Sequence, residues 1–398
     1  MNVKVSGTSV CGAIDAIPSK SYAHRISICN FLAGKEPKAQ LGSFTSKDIA
    51  VTESCLNTLR NGGQVLDCGE SGSTLRFMLP LASAIGGKKE FIGHGRLLSR
   101  PNDELFSVLS AHGVKVQALA DKIVASGKLT AGEYHIRGDI SSQYISGLLM
   151  ALPALDGDSE IVLTTPLASA PYVDITLEVL KSFGVTVEVN ANKYIIKGNQ
   201  KYSGQILPEG DWSNASAFLV LGAVAGTVTV NGLNLNSVQG DRAILNILKL
   251  AGACVTACSD SVTVKKSALK PFSFNAENCP DLVPITAVLG AFADGDTVIY
   301  GVERLKIKES DRIESTIATL NAFGIMAESD GHSITVHGGK VNAGKINSFN
   351  DHRIVMAGAV LGAGAKGDSV IVDAQAVDKS YPTFFEDYIK VGGVKSGV

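Results

Sequence analysis

Apolar positions along the chain fall into helix-length runs. Each run is opened by a short polar signature, closed by glycine, and followed by a stretch rich in β-branched residues. The pattern recurs six times. The first copy opens at Pro18-Ser19-Lys20-Ser21 and closes at Gly34. The second opens at Gly69-Glu70-Ser71-Gly72 and closes at Gly86-Gly87. The third runs from Gly138-Asp139-Ile140-Ser141 to Gly157, and the fourth from Gly210-Asp211-Trp212-Ser213 to Gly226. The fifth runs from Pro280-Asp281-Leu282 to Gly295, and the sixth from Asn350-Asp351-His352 to about Gly362. After the first interval the openings are spaced by about 70 residues.

Asp, Ser and Asn are good helix N-caps, and glycine readily takes the left-handed conformation that ends a helix. Each run therefore predicts a helix with a glycine stop. Strands are predicted after the stops, as at Val228-Thr229-Val230 and Thr297-Val298-Ile299-Tyr300. A second helix is predicted between the main ones. It ends at Ala111-His112-Gly113-Val114, Ser182-Phe183-Gly184-Val185, Leu250-Ala251-Gly252-Ala253 and Ala322-Phe323-Gly324-Ile325, with short strands beyond. The unit reads as βαβαββ-like. Six such units exceed one comfortable core, which predicts three per domain. A solenoid scaffold is the plain alternative, but solenoid repeats usually run ~20–45 residues, and these are longer, with unlike polar signatures.

Composition narrows the class. Hydrophobic residues make up 45% and charged residues 19% of 398, which excludes a disordered chain. A formal charge of −2 argues against bulk nucleic acid as a partner. Glycine, 42 residues, is in excess of ordinary usage, and the helix stops account for much of it. Met1 to Ile14 lacks the plan of a signal peptide. The longest uncharged run, Trp212 to Gly240, is broken by Gly222, Gly226 and polar residues, so it reads as helix, turn and strand, not as a membrane span. Seven cysteines without paired spacing read as reduced cytosolic thiols in or near cores. Cys254 and Cys258 have no second Cys/His pair to complete a zinc set, so no metal site is expected. Dinucleotide, Walker and His-Glu-x-x-His motifs are absent. Gly69-Glu70-Ser71-Gly72-Ser73 does not fit a serine-hydrolase elbow, because its glycines sit at 69 and 72.

The helix openings contain a conflict. A helix N-terminus carries partial positive charge, so a cation there costs a few tenths to ~1 kcal/mol. Yet Lys20 and Arg25 sit at the first opening, Arg76 near the second and Arg353 at the sixth, while Lys308 and Arg312 open another helix in Lys-Glu-Ser-Asp-Arg. Such cations make sense if an anion fills the space between. Arg offers bidentate forks, Lys a compact charge, and Ser141-Ser142-Gln143 neutral donors for phosphate and carboxylate. Gly72 allows close backbone approach to a ligand. Asp281 and Glu309 are acidic groups among these cations and suit acid/base work. The plain reading stays open beside it: Asp281 as an N-cap, Glu309 as a favourable first-turn residue, His352 as a polar residue of a cap.

The motifs Pro18-Ser19-Lys20-Ser21-Tyr22-Ala23-His24-Arg25, Gly69 to Arg76, Ile140-Ser141-Ser142-Gln143-Tyr144, Lys308 to Arg312, Asn350-Asp351-His352-Arg353 and Asp378-Lys379-Ser380-Tyr381-Pro382 occur in this order. Together, across nearly the whole chain, they resemble the 5-enolpyruvylshikimate-3-phosphate synthase family. The resemblance implies an α/β (α+β) fold: a two-domain inverse α/β barrel of six repeats, three per domain, helix N-termini facing the interdomain cleft. Residues 1–14 and 210–398 would form a discontinuous domain from both chain ends, with 15–209 inserted. The implied reaction transfers the enolpyruvyl group of phosphoenolpyruvate to the 5-hydroxyl of shikimate 3-phosphate, releasing phosphate. By motif, Lys20, Ser21, Arg25, Ser141, Ser142, Gln143, Ser169, Tyr172, Asp281 and Lys308 are similar to shikimate-phosphate contacts. Lys20, Gly72, Arg100, Gln143, Arg312, Arg353 and Lys379 are similar to phosphoenolpyruvate contacts. Asp281 is the implied base, with Glu309, Lys20 or Lys308 for proton delivery. The resemblance further implies no cofactor, no nucleic-acid or membrane partner, a monomer, and a cytoplasmic location.

Two departures bear on the anion geometry. Glu70 stands where many members carry Asn, and Phe77 where a Pro is common. Gly72 is the small residue associated with glyphosate-sensitive members, so inhibition competitive with phosphoenolpyruvate is expected. The related UDP-N-acetylglucosamine enolpyruvyl transferases carry a reactive Cys on the loop matching Gly93–Pro101, and this stretch has none. A non-enzymatic sugar- or anion-binding repeat protein is the alternative from another class.

Overall fold

The computed structural model describes residues 1–42 and 44–397. Contacts divide the chain into two compact units: an end-built unit, Met1–Ile17 with Glu209–Val398, and an inserted unit, Pro18–Pro208. The first chain end stays with its unit as far as Ile17, beyond the expected residue 14. Ala16 N donates to Asn231 O, and Asp211 N donates to Ile17 O, both at 2.8 Å.

Strands β1 (Val3–Ser6) and β2 (Val10–Asp15) open the chain, followed by helices α1 (Lys20–Leu32) and α2 (Lys47–Arg60). The inserted unit continues with β3 (Val65–Asp67), α3 (Gly72–Ile85), β4 (Gly87–Ile92), α4 (Asp103–Ala111), β5 (Val114–Ala118) and β6 (Lys122–Gly127). It ends with β7 (Glu133–Ile136), α5 (Ser142–Ala151), β8 (Ser159–Leu163), α6 (Ala170–Ser182), β9 (Val187–Asn190) and β10 (Lys193–Ile196). The end-built unit resumes with α7 (Trp212–Ala225), β11 (Gly226–Asn231), α8 (Ile244–Leu250), β12 (Cys254–Cys258) and β13 (Ser261–Lys265). Next come β14 (Ser273–Asn275), α9 (Val283–Ala291), β15 (Asp296–Tyr300), α10 (Arg312–Ala322), β16 (Ala327–Ser329) and β17 (Ser333–His337). Last are β18 (Lys345–Asn347), α11 (His352–Gly364), β19 (Asp368–Val372), α12 (Phe384–Lys390) and β20 (Val394–Gly397).

One sheet plan recurs. In the sheet β3-β4-β6-β5, β3 and β4 run parallel around α3, and β6 is antiparallel to both β4 and β5. The sheets β7-β8-β10-β9 and β14-β15-β17-β16 repeat it. In the end-built unit the first chain end completes two further copies. Strand β2 lies parallel to β11, and β1 lies antiparallel between β19 and β20. A parallel pair needs a helix to carry the chain back, and the apolar runs supply it.

Helices α7, α9 and α11 are buried on every face and pack on one another. Their lack of a polar face is the sign of a helix enclosed on all sides. In the inserted unit α3 packs on α5, and α1 and α5 pack on α6.

The first repeat departs from expectation. Among the described residues, 33–64 carry no strand, so α1 and α2 have no sheet of their own. The spacing explains this. The first interval, from Pro18 to Gly69, is 51 residues against 69 to 72 for the others, a deficit about the length of a β-hairpin. The glycine stops split into two kinds. Gly113, Gly184, Gly252 and Gly324, after the second helices, all have left-handed φ, between 74° and 88°. Gly226 instead starts β11, with φ of 171°. Any Cβ there would lie 1.9 Å from Val10 O, so the position is set by close approach of the first chain end. Gly362 lies inside α11, where a Cβ would meet Val5 at 2.4 Å.

All seven cysteines are free thiols. Cys29, Cys55, Cys68 and Cys279 are buried, as expected of thiols in or near cores, whereas Cys11, Cys254 and Cys258 are exposed on strands. Among the described residues, no helix is long and apolar enough to cross a membrane.

Gly226→Ala forces overpacking against a backbone carbonyl, which costs about 1–3 kcal/mol. Urea unfolding is expected to show that loss, and an unchanged midpoint contradicts the tight β2–β11 approach.

Candidate active site

Three aspartates open the three central helices of the end-built unit at equal spacing: Asp211, Asp281 and Asp351. Two of them are caps. Asp211 accepts from Asn214 N at 2.8 Å, and Asp351 accepts from Arg353 N at 2.9 Å. Asp281 caps nothing. It sits in a 3₁₀ turn, Pro280–Leu282, that has no side-chain cap bond. Its Oδ1 accepts from Arg312 Nη1 at 2.7 Å and lies 3.6 Å from Lys308 Nζ. Its Oδ2 accepts from Arg353 Nη2 at 3.3 Å. The capping alternative is therefore overturned for Asp281: cations take both of its oxygens.

Arg312, 1% exposed, is the hub of this cluster. Its Nε donates to Asp351 Oδ2 at 2.8 Å, and its Nη2 donates to Glu309 Oε2 at 2.8 Å and Asp351 Oδ1 at 3.3 Å. Helix α10 begins at Arg312, with Asp311 as its cap. Lys308 and Glu309 thus precede the helix, so the first-turn reading of Glu309 also falls. Lys379 Nζ donates to Asn350 O at 2.7 Å, which ties the last motif to the start of α11. His352 is buried beside Asp351.

Burial alone would push Asp281 up. Lys308, Arg312 and Arg353 together overcome this and hold its carboxyl well below the ordinary range, so it is ionised at neutral pH. Burial lowers Lys308 against the opposing pull of Asp281, making its ammonium a readier proton donor.

The inserted unit gathers the other expected residues on helix openings. Lys20, at the start of α1, bridges to Asp48 at 2.9 Å. Arg25 is buried, and its Nε donates to Thr176 Oγ1 at 2.6 Å. Its terminal nitrogens donate to Ser21 O, Ser146 Oγ and Tyr172 O. Its guanidinium lies 5.0 Å above the Phe77 ring. Burial pulls Arg25 down to about 10, still charged at neutrality. Ser169, three residues before Tyr172, is buried with a left-handed φ of 56°, a strained conformation for a serine.

Arg76 holds the next group. Its nitrogens donate to Asn102 Oδ1, Gln143 Oε1 and Pro101 O at 2.7–3.0 Å. Gln143 Nε2 donates in turn to Ser73 Oγ at 2.9 Å, and Ser141 caps α5 by accepting from Gln143 N. Ser142 is buried in the first turn of that helix. Gly72 makes room for Arg100, because a Cβ at 72 would lie 2.5 Å from Arg100 Nη1. Glu70, the acidic departure, lies against the backbone of Gly95.

A buried chain of side chains ties three helix openings together. His24 Nδ1 and Thr52 Oγ1 are 2.8 Å apart, Thr52 and Thr74 hydroxyls 2.6 Å apart, and Thr74 Oγ1 donates to Ser71 Oγ at 2.8 Å. Since Thr74 gives its proton to Ser71, Thr52 donates to Thr74 and His24 donates through Nδ1. Burial, then Lys20 and Arg25, keep that imidazole neutral, which suits the donation.

Among the described residues, no group of three or more His, Cys, Asp or Glu could hold a metal ion. What the two units offer is therefore arginine, lysine, hydroxyl and amide donors with a few carboxylates between them. The sequence model of the family described as EPSP synthase (3-phosphoshikimate 1-carboxyvinyltransferase) matches residues 5–388. The chain belongs to the EPSP synthase family.

A 3-phosphoshikimate 1-carboxyvinyltransferase of Clostridium novyi (strain NT) is 37% identical over 426 residues, covering 99% of this chain and 98% of that relative. One from Methanocorpusculum labreanum is 36% identical, covering 98% and 99%. The EPSP synthase of Acinetobacter baumannii shares the fold with a TM-score of 0.80, at 24% identity over 100% of both chains. The enolpyruvyl transferase NikO from Streptomyces tendae does so with a TM-score of 0.78, at 16% identity over 99% and 98%. The fold is thus that of the EPSP synthase family, an α/β arrangement of mixed helices and sheets.

Beyond the family motifs, sequence reasoning missed Asp48, the partner of Lys20, and the role of Asp351 as the buried counter-charge of Arg312. For Asp351 the even spacing with Asp211 and Asp281 marks a shared helix opening but not its pairing with Arg312. Asp48 stands three residues before an apolar position of α2 and had no such signal.

Removing one partner of a buried ion pair costs about 3–5 kcal/mol. Asp351→Asn is expected to lower unfolding free energy by that order in urea, and a loss below about 1 kcal/mol contradicts the buried pairing.

Proposed function

We propose that the cation-rich groups of the two units bind one pair of anionic substrates for the family's reaction. This enzyme transfers the enolpyruvyl group of phosphoenolpyruvate to the 5-hydroxyl of shikimate 3-phosphate and releases phosphate, in the shikimate pathway. Each substrate carries a phosphate and a carboxylate. Helix ends alone contribute only ~0.3–1 kcal/mol each at exposed sites, so lysine and arginine must supply most of the attraction. Lys20, Ser21, Arg25, Ser141, Ser142, Gln143, Ser169, Tyr172, Asp281 and Lys308 are assigned to shikimate 3-phosphate. Lys20, Gly72, Arg100, Gln143, Arg312, Arg353 and Lys379 are assigned to phosphoenolpyruvate.

The observation that carries the reading is Asp281, a carboxylate gripped by Lys308, Arg312 and Arg353 where its two counterparts cap helices. In the proposed mechanism C3 of phosphoenolpyruvate takes a proton, and C2 becomes cation-like. The sugar-ring hydroxyl oxygen bonds to C2 while Asp281 takes the hydroxyl proton. The tetrahedral adduct then loses its C3 proton, the C2–C3 double bond re-forms, and the C2–O bond to phosphate breaks. Lys308, Glu309 or Lys20 delivers the C3 proton. The lowered proton affinity of Lys308 supports it for that step. The finer fold reading belongs to the same proposal: an inverse α/β barrel of repeats, three per domain, whose closure around the substrates excludes water. So do a monomeric state and a cytoplasmic location.

Phosphate release is expected to require both phosphoenolpyruvate and shikimate 3-phosphate, and release with UDP-N-acetylglucosamine as acceptor contradicts the assignment. Asp281→Ala is expected to keep substrate binding and lower turnover about 100-fold or more. Near-normal turnover removes Asp281 from the mechanism.

A further inference from the structure

Asp241 lies outside every motif used above. It sits in a 3₁₀ turn, Gly240–Ala243, that precedes α8. Gln239 fixes this turn against the start of α7. Its amide nitrogen donates to Glu209 and to Gly210 O, and its oxygen accepts from Trp212 N. Asp241 is thereby buried, 4% exposed, and its Oδ1 completes no hydrogen bond. Groups from three neighbouring elements act on it electrostatically. The start of α7 contributes Asp211 and the Ser213 hydroxyl, the 280–282 turn contributes Asp281, and α11 contributes Arg353. The Cys279 thiol is also near, and burial keeps it protonated. Ser213 is beside Asp241, and its hydroxyl favours the charged carboxyl although it completes no well-formed hydrogen bond. Arg242, on the same turn, is directed elsewhere and donates to Leu235 O at 2.6 Å.

Arg353 is the one cation in this set. It is buried, its Nη2 reaches Asp281 at a long 3.3 Å, and its Nε makes no hydrogen bond. A buried carboxyl oxygen and a buried guanidinium nitrogen thus lie in one neighbourhood, each without a partner. Leaving either unbonded is costly, so the pairing between them is available whenever the carboxyl is charged.

We propose that Asp241 is a positioning residue that competes with Asp281 for Arg353, so that its ionisation weakens the hold of the site on phosphoenolpyruvate. Two effects act in the same direction. A charged Asp241 draws Arg353 toward itself, and it adds a negative charge near an anion-binding group. Asp281, with Lys308 and Arg312 still against it, keeps its own charge through the change. Burial, then the charge of Asp281, raises the Asp241 carboxyl to about 7, which puts the change within the working range of pH. The inference rests on the reading that Asp281 and Arg353 line the substrate site.

The test is the pH dependence of KM for phosphoenolpyruvate in the full-length enzyme and in Asp241→Asn. The substrate phosphate ionises near pH ~6 in both proteins, so its effect cancels in the ratio of their KM values. That ratio, wild type over variant, is expected to be near one at about pH 6 and about tenfold at about pH 8.5. A constant ratio, or one that falls with pH, overturns the inference, because a structural role alone gives no pH-dependent difference. Stability gives a second readout. A carboxyl raised on folding contributes stability that is complete below its ordinary range and is lost as pH rises through its folded value. The melting temperature of wild type is therefore expected to fall relative to the variant between about pH 4 and about pH 7. If Asp241→Asn does not fold, Ser213→Ala serves. Ser213 lowers the Asp241 carboxyl, so its loss is expected to move the midpoint of the KM profile to higher pH, and an unmoved midpoint counts against the inference. Arg353→Ala separates the two levels. Unchanged KM in that variant defeats the substrate-site reading itself. Raised KM there, with Asp241→Asn tracking wild type at every pH, defeats this inference alone.

Discussion

A guanidinium that is 1% exposed must be neutralised where it stands, and Arg312 is neutralised by three carboxylates at once. This requirement organises the end-built unit. Asp351 can serve because it caps α11, Asp281 because it is released from capping α9, and Glu309 because it precedes α10. The same cluster carries Lys308 and Arg353, so three negative charges meet three positive ones. Such a group is held together before any ligand arrives.

The inserted unit solves the same problem differently. The bonds of Arg25 go to the hydroxyls of Thr176 and Ser146 and to backbone carbonyls. Those of Arg76 go to Asn102, Gln143 and Pro101 O. Neutral acceptors fix a guanidinium without cancelling its charge, so these cations keep their positive field. Arg76 in turn aims Gln143, and Gly72 leaves space for Arg100. One unit therefore holds a balanced cluster of charge, and the other holds Arg25 and Arg76 on neutral supports while Lys20 pairs with Asp48.

Much of this was legible in the residues. Six openings, spaced near a common length after a short first interval, gave the repeat, because caps mark helix starts and left-handed glycines mark the ends of the second helices, as at Gly184 and Gly324. The sheet plan was less legible. The short first interval removes the strands of one repeat, and the N-terminal strands β1 and β2 complete sheets whose other members lie hundreds of residues away. Gly226 does stop α7, but with an extended φ and not a left-handed one, and glycine is required there because Val10 approaches, a constraint set by a distant part of the chain. Motifs identified which residues carry charge. They could not say which carboxylate each cation would choose, since capping and ion pairing use the same residue types. That choice separates Asp281 from Asp211 and Asp351, and only packing decides it.

The most direct measurement is the activity of Arg312→Lys with shikimate 3-phosphate and phosphoenolpyruvate. Lysine keeps the charge but cannot spread three separate contacts across Asp281, Glu309 and Asp351. The account predicts a fall in kcat/KM of about 100-fold or more, about 2.7 kcal/mol of transition-state stabilisation. Activity within a few-fold of wild type would contradict the claim that this buried hub assembles the site.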